Sequence, residues 1–480
     1  MNKAIRQTMT FSLVLVLILL ANFTWVQAFQ EEKYAHNALN FRQFLEEKST
    51  PRGQITAGGE ILAQSELGSD DFYHRSYTSN PQAYGPVLGY ISDLYGAAGV
   101  EQSRNGILNG TDPSLFTRRA IDTITGKGRE GANVELTLIP EAQLTAYQQL
   151  AAQGYTGSVV ALRPSTGEIL AMASTPSYDP NPIANNDDEV WTELTESANA
   201  PLLNHGTQRP LPPGSTFKVL TTIAAVENGA TPDTPVTGAN EITLPNTETT
   251  LENYAGQTCG NGGQVPLSTA FTQSCNTAFA ELAIQTGADK LRDVAKRFHV
   301  GDTFDDLGVN MEPSTIGEIP DDAALGQTAI GQRDVSFTPL INAMIAGTIA
   351  NKGVMMEPHL IKSITGRDLN VLSETRPKKI DDKVIDPSTA DVLTGLMQGS
   401  EGGSGGNPNA IASKTGTAEH GAVRGELAPH VWWMGFTLQS DIAIAVVVED
   451  GGNAGAGATG AAVAAPIGRA VISAIERTGR

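Results

Sequence analysis

Hydrophobic and polar positions divide the chain into three textures. The first is an apolar run at residues 11–29, 19 residues long and without a charge. A helix rises about 1.5 Å per residue, so the run nearly spans the roughly 30 Å hydrocarbon core of a bilayer. Lys3 and Arg6 precede it and favour a cytoplasmic tail at residues 1–10, with everything after the run outside. Trp25 suits an interfacial anchor. A cleaved signal peptide is the competing reading, because Val26-Gln27-Ala28 is a passable cleavage site. The run exceeds a usual signal core, so a retained transmembrane anchor is expected. Either way the rest of the chain leaves the cytoplasm.

The second texture covers residues 30–152, expected to form a small non-catalytic domain of pedestal or dimerisation type. Residues 30–47 are polar and read as a juxtamembrane linker. Residues 60–63 have strand character between glycines. Residues 70–132 mix aromatics with Gly, Ser and Asn and predict few regular elements. Toward its end, residues 134–138 alternate like a strand, and residues 140–152 predict a helix with Pro140 in its first turn.

The third texture, residues 153–480, predicts the main domain. Two β-runs at 157–162 and 168–173 flank a longer hairpin loop. Strands at 431–437 and 442–449 and a helix at 461–477 close the chain. Strands before and after a helical middle predict an α+β domain. Its sheet is expected to be mainly antiparallel and drawn from both ends of the segment.

Composition narrows the function. The 480 residues carry a formal charge of −20, which excludes nucleic-acid binding by bulk electrostatics. The seven histidines are scattered, and no Cys/His spacing predicts a metal site. Cys259 and Cys275 are the only cysteines, 16 residues apart. An oxidising compartment allows them to pair, and two free buried thiols are the alternative. The glycine-rich stretches at 402–406 and 451–460 lack the Lys-Ser/Thr of a phosphate loop.

Three short motifs carry candidate chemistry. In Pro213-Gly214-Ser215-Thr216-Phe217-Lys218 the serine is expected to open a helix, with Lys218 one turn on along the same face. A serine hydroxyl needs a base to become nucleophilic, and a lysine serves only if its surroundings favour the neutral amine. In Ser274-Cys275-Asn276, between two helical patterns, a hydroxyl can relay a proton and a carboxamide can hold a substrate amide. In Lys414-Thr415-Gly416-Thr417 a strand offers a cation and hydroxyls for a carboxylate. Gly416 is expected to admit a substrate backbone. Each motif alone is weak. In this order the three are the set of penicillin-binding proteins and class A β-lactamases.

With these motifs the chain resembles the class B penicillin-binding proteins, most closely the actinobacterial penicillin-binding protein A type. Supporting segments are Arg52-Gly53-Gln54-Ile55, residues 162–172, Pro176-Ser177-Tyr178-Asp179-Pro180-Asn181, and residues 209–218. The resemblance implies a penicillin-binding transpeptidase fold with an all-helical subdomain. It implies a peptidoglycan D,D-transpeptidase that cross-links stem peptides, is acylated by β-lactam antibiotics and uses no cofactor. By it, Ser215 is acylated and Lys218 is the base. Ser274 and Asn276 complete the proton path, while Lys414, Thr415, Gly416 and Thr417 bind the terminal carboxylate and line the cleft. The backbone N–H groups of Ser215 and Thr417 form the oxyanion hole. Cys275 stands where aspartate is frequent in related enzymes, and a bond to Cys259 would brace that loop.

Rivals sharing this chemistry are a D,D-carboxypeptidase and a β-lactamase, for which Glu312 or Glu318 would have to activate water. A sensor needs a cytoplasmic effector that ten residues cannot supply. A non-catalytic division scaffold conflicts with intact motifs. No glycosyltransferase domain is visible, so a polymerising partner for division or elongation is expected in the same membrane.

Overall fold

The computed structural model describes residues 2–29, 48–115, 130–420 and 427–479. The polar stretch expected as a linker at 30–47 lies outside the described residues. Helix α1 (Asn2–Phe29) contains the apolar run. Its portion Lys3–Val26 is long and apolar enough to cross a membrane.

Strands β1 (Ile55–Ala57), β2 (Glu60–Leu67) and β3 (Tyr73–Tyr77) form an antiparallel meander. Strand β4 (Asn133–Leu136) joins β1 in parallel. Helix α2 (Pro140–Ala151) follows, with Pro140 at its first turn, where a missing N–H costs nothing. It buries Ala142, Ala146 and Leu150, a stripe at intervals of four. That stripe packs on the next sheet, begun by the antiparallel pair β5 (Gly157–Leu162) and β6 (Ile169–Thr175). Gln143 is buried and locks both parts together: its amide nitrogen donates to Ala83 O and Met172 O, and its oxygen accepts from Met172 N.

A helical region follows. It includes α3 (Lys218–Glu227), α4 (Leu267–Gln273), α5 (Asn276–Thr286) and α6 (Pro339–Ala350). α6 is apolar apart from Asn342 and Thr348 and almost wholly buried, as befits a central core helix. The chain then returns to the N-terminal sheet. Strands β7 (Ile361–Thr365) and β8 (Val371–Glu374) extend it, giving the order β8–β7–β4–β1–β2–β3. The small N-terminal sheet therefore draws two strands from inside the main domain, while α2, from residues expected to belong to the small domain, packs on the main sheet.

Helix α7 (Pro387–Gly403) leads into β9 (Ile411–Ala418), β10 (His430–Thr437) and β11 (Ala443–Val448), and α8 (Ala464–Arg477) ends the fold. The main sheet runs β9–β10–β11–β5–β6, antiparallel throughout, and is assembled from both ends of the domain as expected. Its strands are buried on both faces. Val159, Ala161, Ile444 and Val446 face α2 and α8, while Val160, Leu162, Ala443 and Ala445 face the core around α6. This explains their nearly unbroken apolar runs. β9 is one of the two edge strands, and it forms one wall of the site.

Candidate active site

Gly214–Phe217 forms a turn of 3-10 helix, and the α-helix proper begins at Lys218 rather than at Ser215. In 3-10 geometry residues i and i+3 eclipse, so Ser215 and Lys218 share a face. The turn is held on several sides. Gly214 has φ +54°, and a Cβ there would lie 2.7 Å from Thr417 O. Its N–H donates to Gly331 O at 3.0 Å. Trp432 Nε1 donates to Pro212 O at 2.8 Å. Phe217 packs on Phe337.

Two fully buried lysines converge on Ser274. Lys218 Nζ donates to Ser274 O at 2.6 Å, to Ser274 Oγ at 3.3 Å and to Asn276 Oδ1 at 2.7 Å. Lys414 Nζ donates to the same Ser274 Oγ at 2.8 Å and to Thr415 O at 3.1 Å. Ser274 can hold this place because it ends α4 in the left-handed conformation, φ 58°. Phe279 and Phe271 stand 5.4 and 5.7 Å from the two ammonium groups and help exclude water. Burial, reinforced by the neighbouring Lys414 charge, pulls Lys218 well below the usual lysine range. Burial alone brings Lys414 down to about 7. A lysine so placed can be a neutral base near neutral pH.

Ser215, Ser274, Asn276, Thr415 and Thr417 line one cleft of about 440 Å³. Thr415 and Thr417, two residues apart on β9, share one of its faces, and Lys414 and Gly416 take the other. Two expectations change. A Cβ on Gly416 would meet Pro213 O at 2.6 Å, so the missing side chain lets β9 approach the serine turn instead of making room for substrate. Gly416→Ala should therefore cost about 1–3 kcal/mol of stability, read as a lower Tm, and slow penicillin labelling by shifting Ser215. Asn276 is also engaged within the protein. Its Oδ1 accepts from Lys218, and its Nδ2 donates to Glu252 O at 3.0 Å, tying the lysine to the cleft rim.

Cys259 and Cys275 are joined by a disulfide, which pins the residue between Ser274 and Asn276 to the loop behind it. Neither Glu312 nor Glu318 lines the cleft; Glu252 and Glu419 do. These rim residues, like Phe271, Phe279 and Gly331, were missed from the sequence because no local pattern links them to the motifs. His420, His430 and Asp450 bring potential ligand atoms within 4.8 Å. The two imidazoles stack 3.9 Å apart and parallel, so their in-plane lone pairs do not converge on one ion. His420 Nε2 instead bonds Ala428 O at 2.8 Å.

The family model for the penicillin binding protein transpeptidase domain matches residues 157–473. The chain belongs to the penicillin-binding protein transpeptidase family. The penicillin binding protein A dimerisation domain matches residues 52–134. Peptidoglycan D,D-transpeptidase PbpA of Mycolicibacterium smegmatis is 45% identical over 494 residues, covering 100% of both chains. Its namesake from Mycobacterium tuberculosis is 43% identical over 487 residues, covering 99% of each. Among solved structures, the ceftriaxone acyl-enzyme complex of M. tuberculosis penicillin-binding protein A superposes with a TM-score of 0.86 at 45% identity, covering 90% of this chain and 99% of that one. The penicillin G acyl-enzyme complex gives 0.84 at 45% identity, covering 89% and 99%. This chain is thus a class B penicillin-binding protein of the actinobacterial A type, the family to which its three motifs point.

Proposed function

We propose that the chain is a membrane-anchored peptidoglycan D,D-transpeptidase that works through an acyl-enzyme on Ser215. The observation carrying these roles is Ser274 Oγ, which accepts from Lys218 and Lys414 at the edge of the cleft that also holds Ser215. Neutral Lys218 takes the Ser215 proton as Oγ attacks the carbonyl of the terminal D,D-peptide bond. The N–H groups of Ser215 and Thr417 receive the developing oxyanion. The proton passes through Ser274 to the departing amine, and the C–N bond breaks to leave an ester. An acceptor amine attacks that ester, the C–O bond breaks, and the proton returns to Ser215. Thr415 and Thr417 bind the terminal carboxylate, while Lys414, buried behind them on the other face of β9, holds Ser274 Oγ. Asn276 positions Lys218. β-Lactams acylate the same serine.

The division of labour proposed is a cytoplasmic tail at 1–10, an anchor at 11–29, a non-catalytic domain expected at 30–152 but losing α2 to the main sheet and gaining β7 and β8, and a transpeptidase domain in the remainder of 153–480. The catalytic domain lies outside the cytoplasm. Glycan polymerisation is assigned to a separate partner in the same membrane, because residues 52–134 match a dimerisation domain rather than a polymerase. Incubation with penicillin, digestion and peptide mass mapping test the central role. The adduct should sit on the peptide containing Ser215, and an adduct elsewhere would refute it.

A further inference from the structure

Away from the cleft, the N-terminal domain buries two guanidinium groups against one carboxylate. Arg52 Nε donates to Glu101 Oε2 at 2.7 Å, and Arg75 Nε donates to Glu101 Oε1 at 2.5 Å. The Glu101 side chain is 0% exposed and that of Arg75 only 4%. Burial alone would raise the Glu101 carboxyl, but Arg75 and Arg52 outweigh it and hold it below its ordinary value. The carboxylate is therefore charged, and the cluster keeps one surplus positive charge. A buried unpaired charge is costly, so a compensating group is expected.

The remaining hydrogen-bonding capacity beside the cluster is donor-rich. Arg75 Nη1 donates to Gly53 O at 2.8 Å, whereas its buried Nη2 has no partner. Both arginines line a cavity of about 160 Å³ together with Ser65, Asn105 and Asn109. The Asn105 oxygen already accepts from Arg52 Nη1, and the Asn109 oxygen from Thr111, which leaves their NH₂ groups as donors. Of the nearby acids, Asp93 lines the cavity and is paired with Lys48, which lines it too, and the exposed Asp70 bonds His74. A surplus cation with guanidinium, amide and hydroxyl donors matches a multidentate oxyanion.

We propose that this cavity binds a phosphate group, held by Arg52 and the donors of Ser65, Asn105 and Asn109, with the sealed Arg75 guanidinium supplying positive charge from behind. Inorganic phosphate and the headgroup of a phospholipid share this chemistry. The test is thermal unfolding of the full chain in non-ionic detergent, in phosphate, acetate or chloride at equal ionic strength. Phosphate should raise the midpoint saturably by roughly 2–4 °C over chloride. Short-chain phosphatidylglycerol, added in chloride, separates the sources: the same rise identifies a headgroup site, and no rise confines the site to free phosphate. Asn105→Asp keeps the acceptor for Arg52 and supplies the missing charge. It should raise the midpoint in chloride and abolish the phosphate effect, with penicillin labelling unchanged as proof of an intact fold. Equal midpoints in phosphate and chloride would overturn the proposal. So would an acetate effect as large as that of phosphate, or a phosphate effect that survives Asn105→Asp.

Discussion

A Ser215→Ala variant yields no covalent penicillin adduct, and its peptide acyl transfer falls by about 10⁶, the scale for losing a serine nucleophile. Ser215 is half-buried, and its hydroxyl makes no hydrogen bond among the described residues. Removing it should move stability by less than ~0.5 kcal/mol, so an unchanged Tm accompanies the lost activity. Lys218→Met should keep the nucleophile but slow acylation by roughly 10²–10⁴, the usual worth of a positioned base. Stopped-flow acylation with a fluorescent penicillin reads both. Labelling of Ser215→Ala at the wild-type rate would remove the serine from the mechanism, and wild-type kinetics in Lys218→Met would remove the base.

The second large effect concerns pH. Acylation needs the neutral Lys218 amine, so the rate should climb with pH through the lysine's lowered pKa and then level. The nearby Lys414 charge is one cause of that lowering. Lys414→Met removes this charge, Lys218 then holds its proton more tightly, and the acidic limb of the rate profile moves to higher pH. A limb that stays put or moves to lower pH would show that the two ammonium groups do not interact. The same lysines couple pH to stability. Lys414 sits near 7 in the fold and near 10.4 when unfolded. Between those values the unfolded chain binds more protons, so stability rises with pH across this window. For Lys414 the contribution is at most on the order of 5 kcal/mol, missing below pH 7 and recovered toward pH 10. The Tm of Lys414→Met should depend less on pH than that of the wild type.

How much of this could be read from the chain depends on how far apart the cooperating residues lie. Ser215 and Lys218 are one turn apart, and local spacing alone puts them on a common face. β5 and β6 were visible because they are apolar runs on either side of a single hairpin loop. Ser274, Asn276 and Lys414 were found only because their order matched a known set; nothing in their local sequence shows that two lysines meet on one hydroxyl. Gly416 was assigned to the substrate because a glycine in a strand announces a close approach without naming what approaches, and here it is Pro213. The buried Arg52–Glu101–Arg75 cluster was not legible, since each member reads alone as a surface charge. The pairing of β7 with β4 was also hidden, because strand pairing over more than two hundred residues leaves no local trace.

That pairing has a consequence for how the protein comes into being. β4 leaves the ribosome about two hundred residues before β7, on the order of ten seconds or more at usual synthesis rates. Throughout that interval β4 has an unpaired edge just outside the membrane, open to any strand that reaches it first. The small domain is therefore not an independent cassette. A gene fusion that moved residues 52–134 alone to another enzyme would leave behind β7, the strand that covers that edge here.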